Sequence, residues 1–261
     1  MIIMLDKIVA KTEERLQEAK ENKPLEELKR EVSELEISKD FPFKEALKDP
    51  QIAIIAEVKK ASPSKGLIAE DFDYVEIAKE YESAGASAIS VLTEPHFFQG
   101  SNDYLKEIAQ NVSIPILRKD FVIDEYMIWE AKLLGASAVL LIVSILDIVQ
   151  LKKYLDLAHD LGLSAIVETH DGSEIRTAMN VGAEIIGVNN RNLADFTVDI
   201  DNSINLRRCV SDNIVFISES GIKTKEDVTR LKENNVDAVL IGETLMKSDD
   251  KKSLISELKN G

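Results

Sequence analysis

Gly85-Ala-Ser-Ala-Ile-Ser-Val-Leu92 returns later in the chain as Gly135-Ala-Ser-Ala-Val-Leu-Leu141, then more loosely as Gly162-Leu-Ser-Ala-Ile-Val167 and Gly182-Ala-Glu-Ile-Ile-Gly-Val188. In each copy an amphipathic helical stretch ends at the glycine, and a dense apolar run of strand length follows at once. Glycine reaches positive φ without a steric penalty, so it can stop the helix and let a short turn feed the strand. Val236-Asp-Ala-Val-Leu-Ile241 is a variant with Asn234-Asn235 before it, and asparagine tolerates similar turns. Ile52-Ala-Ile-Ile-Ala-Glu-Val58 opens the series, followed by a Ser/Pro/Gly loop and a helix expected over 73–84. With two less uniform runs included, strands are expected at 52–58, 87–92, 114–118, 137–141, 164–167, 184–188, 215–218 and 238–241. Eight strands alternating with helices predict a parallel sheet closed into a (β/α)8 TIM barrel, in preference to an open doubly wound sheet. The sequence has neither a GxGxxG loop after the first strand nor a GxxxxGK[ST] loop, so neither common nucleotide-binding fold gains motif support.

Residues 1–261 fit one catalytic domain, with 1–50 as an N-terminal helical extension and 51–261 as the barrel. In the extension, Leu5, Ile8, Val9, Thr12, Leu16 and Ala19 recur at helical spacing, with charged residues on the other faces. Pro24 can start a second helix through Leu25 and Leu28, and Phe41-Pro-Phe43 leads into a third. The three are expected to pack over one end of the barrel. A net charge of -15 argues against nucleic acid or an anionic membrane as partner, since both attract a continuous basic surface. The apolar opening Met1-Ile-Ile-Met-Leu5 is too short for a signal peptide or a membrane span. A lone cysteine, Cys209, fits a reducing compartment and is expected to be buried or half-buried. Together these predict a cytoplasmic protein.

Barrel enzymes carry their chemistry where strands run into the following loops. Glu57 and Lys59 are two apart and share a face of the first strand, while Val58 points the other way. Lys119, Glu168, Asn189 and Glu219 each stand immediately beyond another expected strand. Two lysines and two or three carboxylates in one pocket shift one another's proton affinities, the combination expected for proton transfer on a carbon framework with anionic handles. Ser62-Pro-Ser-Lys-Gly66, Ser220-Gly221 and Gly242-Glu243 supply small residues whose backbone N–H groups can converge on phosphate, the last two in the loops where barrels usually hold it. His96, His159 and His170 form no compact ligand motif, so no metal is expected, and His170 is read as a support for its loop.

Glu57-Val-Lys-Lys-Ala-Ser-Pro-Ser-Lys-Gly66 resembles the opening signature of the indole-3-glycerol phosphate synthase family. Phe97-Phe-Gln-Gly-Ser101, Leu117-Arg-Lys-Asp-Phe121, Val167-Glu-Thr-His170, Gly187-Val-Asn-Asn-Arg-Asn-Leu193, Ser218-Glu-Ser-Gly221 and Ile241-Gly-Glu-Thr-Leu-Met246 follow in the family's order. The resemblance implies conversion of an anthranilate ribulose phosphate to indole-3-glycerol phosphate, carbon dioxide and water, without a cofactor. It implies Lys119 as general acid, Glu168 as acid and base, and Lys59, tuned by Glu57, on the substrate carboxylate. Asn189, Glu219 and Ser220 would position polar groups, and Arg191 would pair with the carboxylate or steady its loop. Phe98, Phe121, Leu140 and Leu193 would enclose the anthranilate ring. Ser62, Ser220, Gly221, Gly242 and Glu243 would hold phosphate, Glu243 through its backbone. Association with other tryptophan-pathway enzymes stays open, as do two competing readings, a phosphosugar isomerase on the same fold and a binding subunit without turnover.

Overall fold

The computed structural model describes residues 4–192 and 196–259. The barrel strands are β1 (Ala53–Val58), β2 (Ala88–Leu92), β3 (Ile116–Lys119), β4 (Ala138–Ile142), β5 (Ser164–Thr169), β6 (Ile185–Asn189), β7 (Val215–Glu219) and β8 (Ala238–Ile241). All pair in parallel with their sequence neighbours, and β1 pairs with β8, so the sheet closes. A two-residue hairpin, Ala61–Ser62 with Gly66–Leu67, stands above β1.

The turn chemistry is as the repeat predicts. Gly85, Gly135, Gly162 and Gly182 all have positive φ, and Asn235 takes the same conformation at φ 59°. The opposite connections end in side-chain helix caps. Asp73 caps α4 (Tyr74–Ser83) by accepting from the Glu76 N–H, and Asp147 forms a capping box on α7 (Ile148–Asp160). Here α1 to α3 are the N-terminal helices Met4–Asn22, Leu25–Ser33 and Pro42–Ala46, while α5 (Asn102–Ala109) and α6 (Glu125–Leu133) follow β2 and β3. The remaining helices are α8 (Gly172–Asn180), α9 (Asp201–Arg207), α10 (Lys225–Glu233), α11 (Glu243–Met246) and α12 (Lys251–Lys259).

Strand alternation sorts the apolar side chains into two cores. Ile54, Ala56 and Val58 point outward and join the layer beneath the helices, whereas Ala53 and Ile55 point inward beside Leu117, Ile166, Ile185, Ile217 and Leu240. Glu57 and Lys59 continue the inward set toward the mouth, on the side the two-residue period requires.

Four expectations change. The strands were expected to stop before Lys119, Glu168, Asn189 and Glu219, yet the ladder includes all four, with Leu92 paired to Lys119, Glu168 to Gly187 and Asn189 to Glu219. These polar side chains satisfy one another inside the barrel, so the backbone need not leave the sheet to reach water. The third strand begins two residues late, at Ile116, because Pro115 has no N–H to give a ladder. The N-terminal extension covers both ends of the barrel instead of one. Phe43 and Leu47, fully buried, plug the end where the strands begin, α2 lies along α6, and α1 crosses the opposite mouth. Cys209, expected to be buried or half-buried, is exposed, because it follows α9 on the outer surface. Among the described residues no helix is long and apolar enough to cross a membrane.

Candidate active site

The carboxyl ends of the strands surround a cavity of about 970 Å³, a size that suits a small-molecule ligand. Glu57, Lys59, Lys119, Glu168, Asn189 and Glu219, expected at strand ends, all line it. Ser62, Phe98, Phe121, Leu140, Arg191 and Ser220 line it as well, as do Gly221, Gly242 and Glu243. Leu193 lies outside the described residues.

Lys119 is the centre of the polar floor. Its Nζ lies 3.0 Å from Glu168 Oε2 and 3.2 Å from Glu219 Oε2. Burial works against its charge, but Glu168, Glu219 and Glu57 together outweigh that and hold Lys119 above the ordinary lysine range. The ammonium is therefore a fixed cation in a site little exposed to water. Lys59 forms a second pair with Glu57 across the floor.

Glu168 and Glu219 share Lys119 but differ in every other contact. Burial pushes both carboxyls up. For Glu168 the opposing charges of Lys119 and His170, with hydrogen bonds from Lys119 and from Asn189 Nδ2 at 3.3 Å, win and hold it below the ordinary range. For Glu219 burial and the charges of Glu168 and Glu57 prevail over Lys119, and its pKa is pushed up to about 7. Its Oε1 is buried with no hydrogen-bond partner. Two neighbouring carboxyls with diverging proton affinities are what paired acid and base chemistry requires.

Backbone design makes room for these groups. A Cβ on Gly187 would run into the Glu219 carboxylate and come within 3.0 Å of Ile166 Cγ2. A Cβ on Gly242 would run into Glu57 and stand 2.8 Å from Lys59 Nζ. Asn189 is oriented from both sides, accepting the Arg191 N–H at 3.0 Å on Oδ1 while Nδ2 serves Glu168.

At one side of the mouth Ser220 and Gly221 both take positive φ, 69° and 88°. For serine this is an uncommon conformation that must be held by its surroundings. The Asn190 Nδ2 donates 3.1 Å to the Ser220 carbonyl and 2.9 Å to Ser218 Oγ, while Asn190 Oδ1 accepts from Ser203. Lys65, Lys223 and Lys247 line the cavity near this turn, with Glu243 bound to Lys247 at 2.7 Å and to Lys65 at 3.5 Å. The Glu243 carboxylate is thus occupied by lysines, and the N–H groups that open α11 have no partner within the helix. This side offers backbone donors and cations to an anion.

The other wall is apolar. Phe98 and Phe121 stand with ring centroids 6.0 Å apart beside Leu140, and Leu5 and Ile8 of α1 close over the cavity. The latter two escaped the sequence reading, since a helical stripe shows which face is buried and not what it covers. Also missed was the anchor of α1. Arg15 meets Asp120 through two bonds of 2.8 and 3.1 Å and donates 3.3 Å to the Thr93 carbonyl. Asp120, next to Lys119, is fully buried and also accepts from Thr93 Oγ1 at 2.6 Å. The quoted motif Leu117-Arg-Lys-Asp-Phe121 contained that aspartate without revealing its partner.

Comparison with known proteins agrees with this geometry. The family described as "Indole-3-glycerol phosphate synthase" matches residues 5–258. Proteins of that name from Endomicrobium trichonymphae and Ruminiclostridium cellulolyticum are 56% and 52% identical, over 99% and 98% of this chain and 100% and 99% of their own lengths. Among solved structures, 3-hexulose-6-phosphate synthase from Salmonella typhimurium aligns with a TM-score of 0.65 at 15% identity, covering 80% of this chain and 97% of that one. Thiamine phosphate pyrophosphorylase from Pyrococcus furiosus aligns at 0.61 and 17%, covering 82% and 96%. At such identities the structures speak for the barrel alone. The sequence match runs nearly end to end, and by it this chain belongs to the indole-3-glycerol phosphate synthase family.

Proposed function

We propose that this protein closes the indole ring of 1-(2-carboxyphenylamino)-1-deoxyribulose 5-phosphate, releasing carbon dioxide and water, and that Lys119 is the acid that starts the reaction. One observation carries the assignment: a lysine held charged by two buried carboxylates, on the floor of a cavity with an aromatic wall on one side and an anion-binding turn on the other. Phe98, Phe121 and Leu140 enclose the anthranilate ring, and Leu193 is assigned to the same wall. Ser62, Ser220, Gly221, Gly242 and the Glu243 backbone take the phosphate. Held at both ends, the substrate presents its ketose carbonyl to Lys119.

Lys119 donates to the carbonyl oxygen as the ring carbon attacks, stabilising the charge that develops there. Lys59, oriented by Glu57, holds the carboxylate near the reacting carbon and assists the later loss of the hydroxyl group as water. Arg191 supports that carboxylate or its loop. Carbon dioxide leaves from the ring carbon that made the attack, and its electron pair restores the aromatic ring. Glu168 then moves the protons that accompany dehydration, from the anilino nitrogen and to the departing hydroxyl, while Asn189 and Glu219 fix polar groups around it. The apolar wall limits water, which strengthens each of these charges.

Lys119→Ala is expected to lower kcat by about 10²-fold or more with a small change in KM. Gly221→Val, whose side chain would meet Val198 and Ile200, is expected chiefly to raise KM. Steady-state kinetics on both variants separates the two roles. A near-normal kcat in Lys119→Ala contradicts its role as acid.

A further inference from the structure

The reaction has a proton balance that the cavity alone does not explain. The substrate carboxylate is ionised at neutral pH and departs as neutral carbon dioxide, water leaves as a neutral molecule, and the phosphate is unchanged. Each turnover therefore takes up one proton from solvent. That proton must reach a floor whose acidic groups are almost fully covered. Glu168 is only 4% exposed at its side chain.

His170 stands behind Glu168, outside the lining of the cavity. It follows β5 directly, and its Nε2 lies 3.6 Å from Glu168 Oε1, buried and without a hydrogen-bond partner. On its far side Nδ1 is 3.1 Å from Glu174 Oε2, a carboxylate of α8 that also accepts the His170 backbone N–H at 2.7 Å. Exposure rises outward along the row, from 4% at Glu168 to 19% at His170 and 20% at Glu174. Glu174 fixes the tautomer with hydrogen on Nδ1, which leaves Nε2 as the atom that accepts or gives a proton toward the site. The charged groups around the ring are Glu168 on β5, Glu174 on α8 and Glu219 on β7, with Lys119 of β3 beyond Glu168. From α9 only the Asn202 amide reaches it, at the His170 carbonyl. Burial opposes the imidazolium, but the Glu174 bond and the three carboxylates outweigh that and raise its pKa above the ordinary value.

We propose that His170 is the proton inlet of the site, passing a proton taken up beside Glu174 from its Nε2 to Glu168 Oε1 once in each catalytic cycle. Glu168 carries the anilino proton to the departing hydroxyl and is ionised again, which leaves Lys119 short of the proton it gave to the ketose oxygen. The imidazolium passes a proton to Glu168 Oε1, Glu168 releases one from Oε2 to Lys119 Nζ at 3.0 Å, and solvent reprotonates the imidazole through the Glu174 side. No bond other than N–H and O–H changes, and the single proton entering balances the negative charge lost with the carboxylate. His170 acts through Glu168 and does not touch the substrate. The inference rests on the assignment of Glu168 as the acid and base of dehydration.

The test is the pH profile of kcat for the wild type, His170→Gln, His170→Ala, Glu174→Gln and Glu168→Gln, each checked for fold by circular dichroism. In the wild type kcat is expected to fall on the alkaline side as the imidazolium is lost. His170→Gln should lose about tenfold or more in kcat with KM unchanged, and its alkaline limb should vanish. Glu174→Gln keeps a hydrogen-bond acceptor but removes the charge that favours imidazolium, so its limb should move to lower pH by about one unit. Added imidazole should restore turnover to His170→Ala and not to Glu168→Gln. Wild-type kcat and an unmoved limb in His170→Gln, with Glu168→Gln inactive, would overturn the inlet and leave Glu168 in place. Loss of kcat in both His170 variants without imidazole rescue, together with an unmoved limb in Glu174→Gln, would reduce His170 to a structural support and overturn it too. Full turnover in Glu168→Gln would instead sink the reading on which the inlet rests.

Discussion

Glu168 and Glu219 are chemically identical and both touch Lys119, yet the surroundings hold one ionised and bring the other to the edge of titration at neutral pH. For Glu219 the sign of the linkage is definite. A carboxyl whose pKa is raised from 4.5 to about 7 on folding stabilises the native state below the lower value and loses that contribution as pH climbs to the upper one. Glu219→Gln carries no such titration. Its stability relative to the wild type should therefore improve between about pH 4.5 and 7, read as the difference in urea midpoints at each pH. A constant difference across that window would show that Glu219 is ionised throughout. The sequence made these positions legible through strand alternation, which puts Glu57 and Lys59 on one face, and through the polar residues Lys119, Glu168, Asn189 and Glu219 at four later strand ends. It could not tell which carboxyl keeps a proton. That depends on Asn189 of the next strand and His170 just beyond β5 standing beside Glu168, and on Gly187 leaving room for Glu219.

At the scale of elements, the glycine-ended helices and the strands they feed were readable because a positive-φ stop is a local requirement. The exact strand ends were not, since Lys119, Thr169, Asn189 and Glu219 remain in the ladder for reasons set by their neighbours in the closed barrel. The division of the N-terminal extension was hidden for the same reason. Nothing in the spacing of Leu5 and Ile8 says that α1 crosses the mouth, or that Phe43 turns back beneath the sheet. Arg15 gives the placement of α1 a test. Arg15→Ala removes three hydrogen bonds to Asp120 and Thr93 but leaves Asp120 its bonds from Thr93, Phe121 and Arg118. The expected loss is about 2 kcal/mol of stability, with faster amide exchange in α1 and a raised KM, because Leu5 and Ile8 no longer sit firmly over the cavity. Unchanged exchange in α1 would mean that the helix is held by its apolar face alone.

For the whole molecule the barrel separates two tasks. The end where strands begin is a packed plug, with Phe43 and Leu47 set among Ala53, Ala138, Ile185, Val215 and Ala238. The end where strands finish carries the charge. Lysines gathered there give an anionic substrate a local cationic site on a molecule of net charge -15. Phe43→Ala should therefore cost about 3–5 kcal/mol of stability while kcat, measured well below the unfolding temperature, stays near the wild-type value. A matching fall in kcat would show that the plug shapes the site as well as the core. The most direct measurement of the central claim is turnover of 1-(2-carboxyphenylamino)-1-deoxyribulose 5-phosphate by the purified protein, following indole fluorescence and carbon dioxide together. One carbon dioxide for each indole formed, with both signals lost in Lys119→Ala, is the expected result. Binding of the substrate without either product, or equal turnover in Lys119→Ala, would contradict it.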